Sequence, residues 1–282
     1  NKGGLEAVDY NIYLTIFYAM GPAGIPPGAP TLISAVLTGA DNEDVTLRWS
    51  LSPDDGASEN DVVRYDIYYS KTYAKNGLGY VLLDNVSAGT DTYVHYGAGD
   101  GDLNNYFYFV AAVDATGLSS WNGQAGKYVR ALKGGLKELV SIPLVQANIS
   151  ILEVLKTIEG SYDIVHYYKS SDQADHWKSF KPDKPWQHND LLYIDHEIGF
   201  WIKMLSDDNL VVAGLVPEST TLSLEPSWNF IGYPSFVPRT VAEALSAVSY
   251  TKVEGWTDIP PQHLRIMSDT DMMSAGNGYW VR

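Results

Sequence analysis

Short runs in which apolar and polar residues alternate fill most of this chain, and they predict strands. Thr31–Leu37 opens the series. Val45-Thr46-Leu47-Arg48-Trp49 turns Val45, Leu47 and Trp49 to one side, and Val63–Tyr69 alternates in the same way. Tyr80–Leu83, Thr92–Tyr96, Tyr106–Val113 and Tyr128–Ala131 complete seven short strands between residues 29 and 131. Their spacing, punctuated by turn residues, predicts a sandwich of two antiparallel sheets.

Beyond residue 132 the pattern repeats itself. Pro143 and Pro234 each close an apolar run, with Leu139 standing against Phe230 and Val140-Ser141-Ile142 against Ile231-Gly232-Tyr233. Proline cannot donate into a ladder, so each run reads as a strand stopped at its end. Ser150-Ile151-Leu152-Glu153 then matches Thr240-Val241-Ala242-Glu243. Both have the spacing of a capping box, in which the hydroxyl takes a backbone N–H and the glutamate reaches back. A short apolar helix follows in each copy. The copies end alike, on Gly199-Phe200-Trp201-Ile202 and Gly278-Tyr279-Trp280-Val281, with Asp190 and Asp269 each nine residues before the glycine. Matched landmarks in one order predict an internal duplication.

The N-terminal stretch Tyr10–Tyr18 carries Ile12, Leu14 and Ile16 on one face and Tyr13 and Phe17 on the other. A strand apolar on both faces needs a sheet to join. The Gly21-Pro22-Ala23-Gly24-Ile25-Pro26-Pro27-Gly28 linker that follows is extended and stiff. Three placements are open: the sheet of another subunit, a preceding domain, or the chain's own sheet. The expected plan is mainly β. A strand and linker (1–28) precede a fibronectin type III-like sandwich (29–131) and a duplicated β-rich α+β domain with one short helix per repeat (132–216 and 217–282).

Composition narrows the function. A net charge of −15 among 282 residues excludes a nucleic-acid backbone as partner, which needs clustered Lys and Arg. The charge leaves cation binding open. No run reaches the length of a membrane span. The lack of cysteine leaves the compartment open. A start at Asn1 reads as a processed product or a fragment.

The sandwich segment resembles a fibronectin type III domain. The residues that carry the resemblance are Pro30 at its start, Trp49 in the second strand, Tyr65 and Ile67 in the third, and Tyr106-x-Tyr108-x-Val110-x-Ala112 in the sixth; Asp114–Ser120 stands as its final hairpin. The resemblance implies a spacer or adhesion scaffold, and a tyrosine corner in which Tyr106 bonds back to nearby backbone. Residues 132–282 resemble repeats of secreted archaeal and some bacterial surface proteins that begin Gly-Trp-Asn-Leu-x-x-x-Pro and end Gly-Tyr-Trp-[Ile/Val]. Copy two carries Trp228-Asn229-Phe230-Ile231-Gly232-Tyr233-Pro234, whereas copy one has Leu136-Lys137 in place of the Trp-Asn pair. This likeness implies an extracellular, cell-surface location and no established activity.

Candidate chemistry is sparse. Asp100-Gly101-Asp102-Leu103-Asn104 places oxygens at alternate positions, as a calcium loop begins, but Asn105 and Ala111 stand where an EF-hand has Gly and Glu. The competing reading is a polar turn anchored by a buried Leu103. Asp195-His196-Glu197 reads as a surface turn, because copy two has Ser274-Ala275-Gly276 there. No nucleophile elbow or phosphate-binding glycine loop occurs, so the expectation is a protein without enzymatic activity. Trp201 and Trp280 read as core. Trp177 and Trp186, which flank a polar stretch, are the candidates for stacking on a sugar. Asn85 and Asn148 head N-glycosylation sequons. The leading expectation is a subunit of an extracellular filament or surface layer, self-assembling with identical subunits by strand addition through Tyr10–Tyr18. The alternative is a carbohydrate-binding or adhesion module of a larger secreted protein, with a polysaccharide as partner.

Overall fold

The computed structural model describes residues 24–257, 259–261 and 263–282. The stretch with Ile12, Tyr13, Leu14, Ile16 and Phe17 lies outside them. The protein is mainly β. Its first eight strands are β1 (Thr31–Thr38), β2 (Asp44–Ser50), β3 (Val62–Ser70), β4 (Val81–Ser87), β5 (Thr92–His95), β6 (Tyr106–Asp114), β7 (Ser119–Trp121) and β8 (Gln124–Leu132). They form two facing sheets, β1-β2-β5 and β4-β3-β6-β8, with β7 hairpinned onto β6. Alternation explains the core between them: Leu47, Trp49, Tyr65, Ile67 and Tyr108 all point inward and are fully buried. Tyr65 also ties down a turn, since its hydroxyl accepts from Ser52 N (2.8 Å) and donates to Asp55 (2.8 Å).

Tyr106 departs from the expected corner. Its hydroxyl donates to the Asp102 carboxylate (2.9 Å), four residues upstream, instead of to backbone. The Asp102 carbonyl is occupied by the Lys127 ammonium.

The duplicated half contributes β9 (Lys137–Ser141), α1 (Ile151–Val154), β10 (Tyr162–Tyr168), β11 (Trp177–Phe180), β12 (Gly199–Met204) and β13 (Asp208–Val216) from copy one. Copy two supplies β14 (Asn229–Gly232), β15 (Arg239–Thr240), α2 (Val241–Ala244), β16 (Val253–Thr257), β17 (His263–Ile266), β18 (Met272–Met273) and β19 (Gly278–Val281). Their sheets run β11-β10-β12-β9 and β17-β16-β19-β14, the same order twice. The helices are held alike: Ile151 N–H donates to the Leu192 carbonyl (3.0 Å), and Val241 N–H to that of Asp271 (2.9 Å). Both acceptors stand seven residues before the closing glycine.

The caps differ. Thr240 and Glu243 form the full capping box. Ser150 makes no cap bond with its side chain; Glu153 instead pairs with Lys156 at 2.7 Å. Asn148 accepts from Ser150 N (3.0 Å) and takes over the turn.

The last strand of copy one joins the sandwich. β13 leaves copy one and pairs along its whole length with β8, from Asp208 opposite Leu132 to Val216 opposite Gln124. It thereby becomes the fifth strand of the larger sandwich sheet. Val211 and Ala213 face the sandwich core, while Leu210 and Val212 face the core of copy one. Burial on both sides explains the unbroken apolar run Leu210-Val211-Val212-Ala213-Gly214-Leu215-Val216.

The two copies meet about a local two-fold. Val140 bridges Asn277, and its equivalent Ile231 bridges Ile198. Ser141 N–H donates to Gly276 O (3.1 Å), and its equivalent Gly232 N–H donates to Glu197 O (2.8 Å). Glycine permits the approach: a Cβ on Gly199 would lie 2.5 Å from Ile231 O, and one on Gly278 would lie 2.9 Å from Val140 O.

Candidate functional site

Side chains on β12 and β19 alternate between two destinations. Phe200 and Ile202 enter the core of copy one, and Tyr279 and Val281 that of copy two. Trp201 and Trp280 point the other way, toward each other's copy. With Leu139 and Phe230 they build a shared aromatic cluster, which Tyr167, Tyr168, Trp256 and Leu264 extend. Trp280 stacks flat on Phe230 at 4.6 Å and 9°. Burial among these rings pushes the Tyr167 phenol up to about 12, with smaller pushes from Asp195 and Glu197.

At one margin the rings come to the surface. Tyr168 at the end of β10, Trp228 just before β14, Trp280 on β19 and Glu254 on β16 enclose an open recess of about 280 Å³. Trp228 meets Trp280 edge to face (6.0 Å, 88°), Tyr168 lies 5.2 Å from Trp280, and the exposed Trp177 lies 5.9 Å from it. Charged groups rim this aromatic floor. Lys252 pairs with Glu254 at 2.5 Å. The Lys252 ammonium and the Arg282 guanidinium lie 5.5 and 5.9 Å from the Trp228 ring. Apolar faces beside polar, orientable groups are what a pyranose needs, since its axial C–H bonds stack on a ring while its hydroxyls bond at the edge.

The two-fold places equivalents of these side chains in the same cluster. Strand register pairs Trp280 with Trp201, Glu254 with His166 and Phe230 with Leu139 as equivalents. The equivalent of Trp228 is therefore Lys137, and that of Tyr168 is Trp256. The alignment of Leu139 with Phe230 holds, and it places Lys137-Glu138, not Leu136-Lys137, opposite Trp228-Asn229. The second pair keeps its job: Glu138 accepts from Lys133 N (2.7 Å) as Asn229 accepts from Glu225 N (2.8 Å). Lys137 lays its ammonium 5.4 Å over the Trp201 ring, and Trp201 is buried.

The other candidates disperse. Trp177 joins the aromatic groove. Trp186 lies elsewhere, on a recess of about 360 Å³ with Leu155, Tyr162 and Phe180. Trp280, expected in the core, is half-buried and forms a groove wall. Asn85 is exposed on the edge strand β4, and Asn148 is exposed before α1. Asp195 accepts from Glu197 N (2.9 Å), which shapes a turn whose Glu197 carbonyl serves the two-fold contact.

In the candidate calcium loop, Asp102 accepts from Asn104 N (2.7 Å), Asn104 Nδ2 (2.8 Å) and the Tyr106 hydroxyl. The fully buried Lys127 side chain brings its ammonium to 3.7 Å from the Asp102 carboxylate. Burial raises the Asp102 carboxyl, but these bonds and the Lys127 charge together hold it below its usual range. Burial also lowers the Lys127 ammonium to about 8, against the pull of Asp102. Asp100 is pushed up by burial. Leu103 is 64% exposed and anchors nothing, because the Tyr106 and Lys127 contacts already fix the turn. Among the described residues, no group of three or more His, Cys, Asp or Glu could hold a metal ion. No helix among them is long and apolar enough to cross a membrane.

No protein-family model matches the chain, and no curated protein matches it.

Trp228 and Tyr168 were not selected from sequence as site residues. Trp228 had a visible signal, being a tryptophan at a repeat boundary where the other copy has none. Tyr168 had no signal, because only the meeting of the two copies places it beside Trp280.

Proposed function

We propose that this chain is a carbohydrate-binding module of an extracellular surface protein. The observation that carries this reading is the groove of Tyr168, Trp228 and Trp280, whose rings reach the surface beside a charged rim, whereas the two-fold equivalent of Trp280, Trp201, is buried and that of Trp228 is a lysine. The sandwich and copy one act as a rigid mount. β13 welds them together, and Tyr128 of the sandwich donates to Ala275 O of copy two (3.2 Å). The test is retention of the full chain on immobilised neutral and acidic polysaccharides. Trp228→Ala should weaken binding to the retained polymer about 30-fold, the share typical of an aromatic anchor. It should leave the melting temperature nearly unchanged, because Trp228 is half-buried at a strand start. Retention of the variant equal to that of the parent chain would sink this reading.

Assembly by strand addition is the second reading, and two observations favour it. The chain that follows Tyr10–Tyr18 is fastened to the sandwich: Gly28 N donates to Asp54 (2.7 Å), and Ser120 Oγ donates to Pro27 O. β4 is the outer strand of its sheet and exposes Val81 and Leu82. An open apolar edge of this kind accepts a strand. Electron microscopy of the protein beside Ile12→Asp/Leu14→Asp separates the cases: ordered polymers lost in the double variant support assembly, and single particles in both refute it.

A further inference from the structure

The rim of the groove is unevenly charged. Lys252 and Glu254 neutralise one another at 2.5 Å. Arg282 stands exposed beside the recess, its guanidinium 5.9 Å from the Trp228 ring, and no Asp or Glu pairs with it among the described residues. In a chain of net charge −15, a lone guanidinium beside an aromatic recess is a local anion site against the general field. Its planar fork fits a carboxylate through two parallel N–H···O bonds, a match that an ammonium lacks. A neutral sugar would leave this cation without a partner on binding, whereas a carboxylated one would satisfy it.

We infer that the sugar preferred by this groove is a uronic acid within a polysaccharide, its pyranose held among Tyr168, Trp228 and Trp280 and its carboxylate on Arg282. This rests on the glycan reading above and names its ligand class. The recess is open at its sides, so it suits residues within a chain as well as at an end.

The probe pair is an oligogalacturonide and its fully methyl-esterified form, which have the same rings with and without the charge. Titration of the full chain at about 150 mM salt should show the acid bound at least about tenfold more tightly than the ester, the difference one charge-assisted carboxylate contact makes. Arg282→Gln should remove that preference by weakening the acid more than the ester, and Arg282→Lys should restore part of it. Rising salt should weaken the acid and leave the ester unmoved. Equal affinity for acid and ester, or a preference that survives Arg282→Gln, overturns the uronate assignment and leaves glycan binding standing. Failure of both forms and of every neutral polysaccharide to bind overturns the glycan reading and this inference with it.

Discussion

The two copies of the duplicated unit share a backbone and differ in what they do with it. Strand order, the helix-start hydrogen bond and the contacts across the two-fold are the same in each. The differences lie in single side chains at equivalent places. Trp228 stands against Lys137, Thr240 against Ser150, and Gly232 against Ser141. Ser141 adds bonds that Gly232 cannot, its hydroxyl donating to Asn277 O (2.8 Å) and accepting from Tyr233 N (3.3 Å). Copy one shares β13 with the sandwich and covers a ring with its own lysine. Copy two is packed against copy one by its sheet and leaves its rings open. Duplication thus preserved the main-chain contacts that hold the pair together and released the side chains around them.

The first way to break this comparison is at the shared contact. Gly199→Ala should destabilise by about 2–3 kcal/mol, because the new Cβ would sit 2.5 Å from a carbonyl oxygen that belongs to the other copy's strand. Gly278→Ala should cost less, since its Cβ would meet Val140 O at 2.9 Å. Thermal unfolding reads both, at roughly 2–4 °C per kcal/mol for a unit of this size. Equal shifts, or none at Gly199, would mean that the two-fold contact does not hold the copies together.

The second way compares the caps. Thr240→Ala removes a hydroxyl that accepts from Glu243 N (3.2 Å), while Glu243 separately accepts from Thr240 N (2.9 Å). The loss should be about 1 kcal/mol. Ser150→Ala should cost close to nothing, because Asn148 rather than Ser150 supplies the side-chain bond at that helix start. If Ser150→Ala melted as low as Thr240→Ala, the two helix starts would be energetically alike despite their different bonds.

The sequence carried much of this architecture because it depends on period and punctuation. Alternation located the strands of the sandwich, and Pro143 and Pro234 located the repeat. Two things escaped it. The run Leu210–Val216 lay beyond a turn-like Asp207-Asp208-Asn209, and its continuous apolar character, the mark of a strand buried on both faces, was the available signal. The groove escaped for a different reason. Trp228 and Trp280 come from one copy and Tyr168 from the other, so no local pattern joins them. Trp177 stood out in the sequence because it flanks a polar stretch, and the structure sets it 5.9 Å from Trp280. The capping box at Ser150 failed because the spacing fixes only which residues could cap, and the Asn148 side chain competes for the same turn.

The mildest test concerns Lys137, the residue that stands over Trp201 where copy two has Trp228. It is more than a third exposed, yet its ammonium lies over Trp201, and burial there lowers its pKa. A lysine whose folded pKa lies below its unfolded value near 10.4 carries a cost of burial that is felt in full while both states hold the proton. That cost fades as pH rises through the folded pKa toward the unfolded one. Lys137→Met has no such group, so its melting temperature relative to the parent chain should fall as pH is raised from 7 to 10. Solvent screening keeps the change small. Trp228→Lys places a lysine at the equivalent position of copy two, beside Lys252 and Arg282 instead of beside His166. The same pH series on that variant shows whether the cost belongs to the aromatic cluster or to its neighbours. If the cluster alone sets it, the two lysines should shift stability in the same direction. If instead Trp228→Lys destabilises at pH 7 and recovers far more steeply toward pH 10 than the parent chain does, repulsion from Lys252 and Arg282 governs copy two. Its rim is then electrostatically unlike that of copy one even with the ring difference removed.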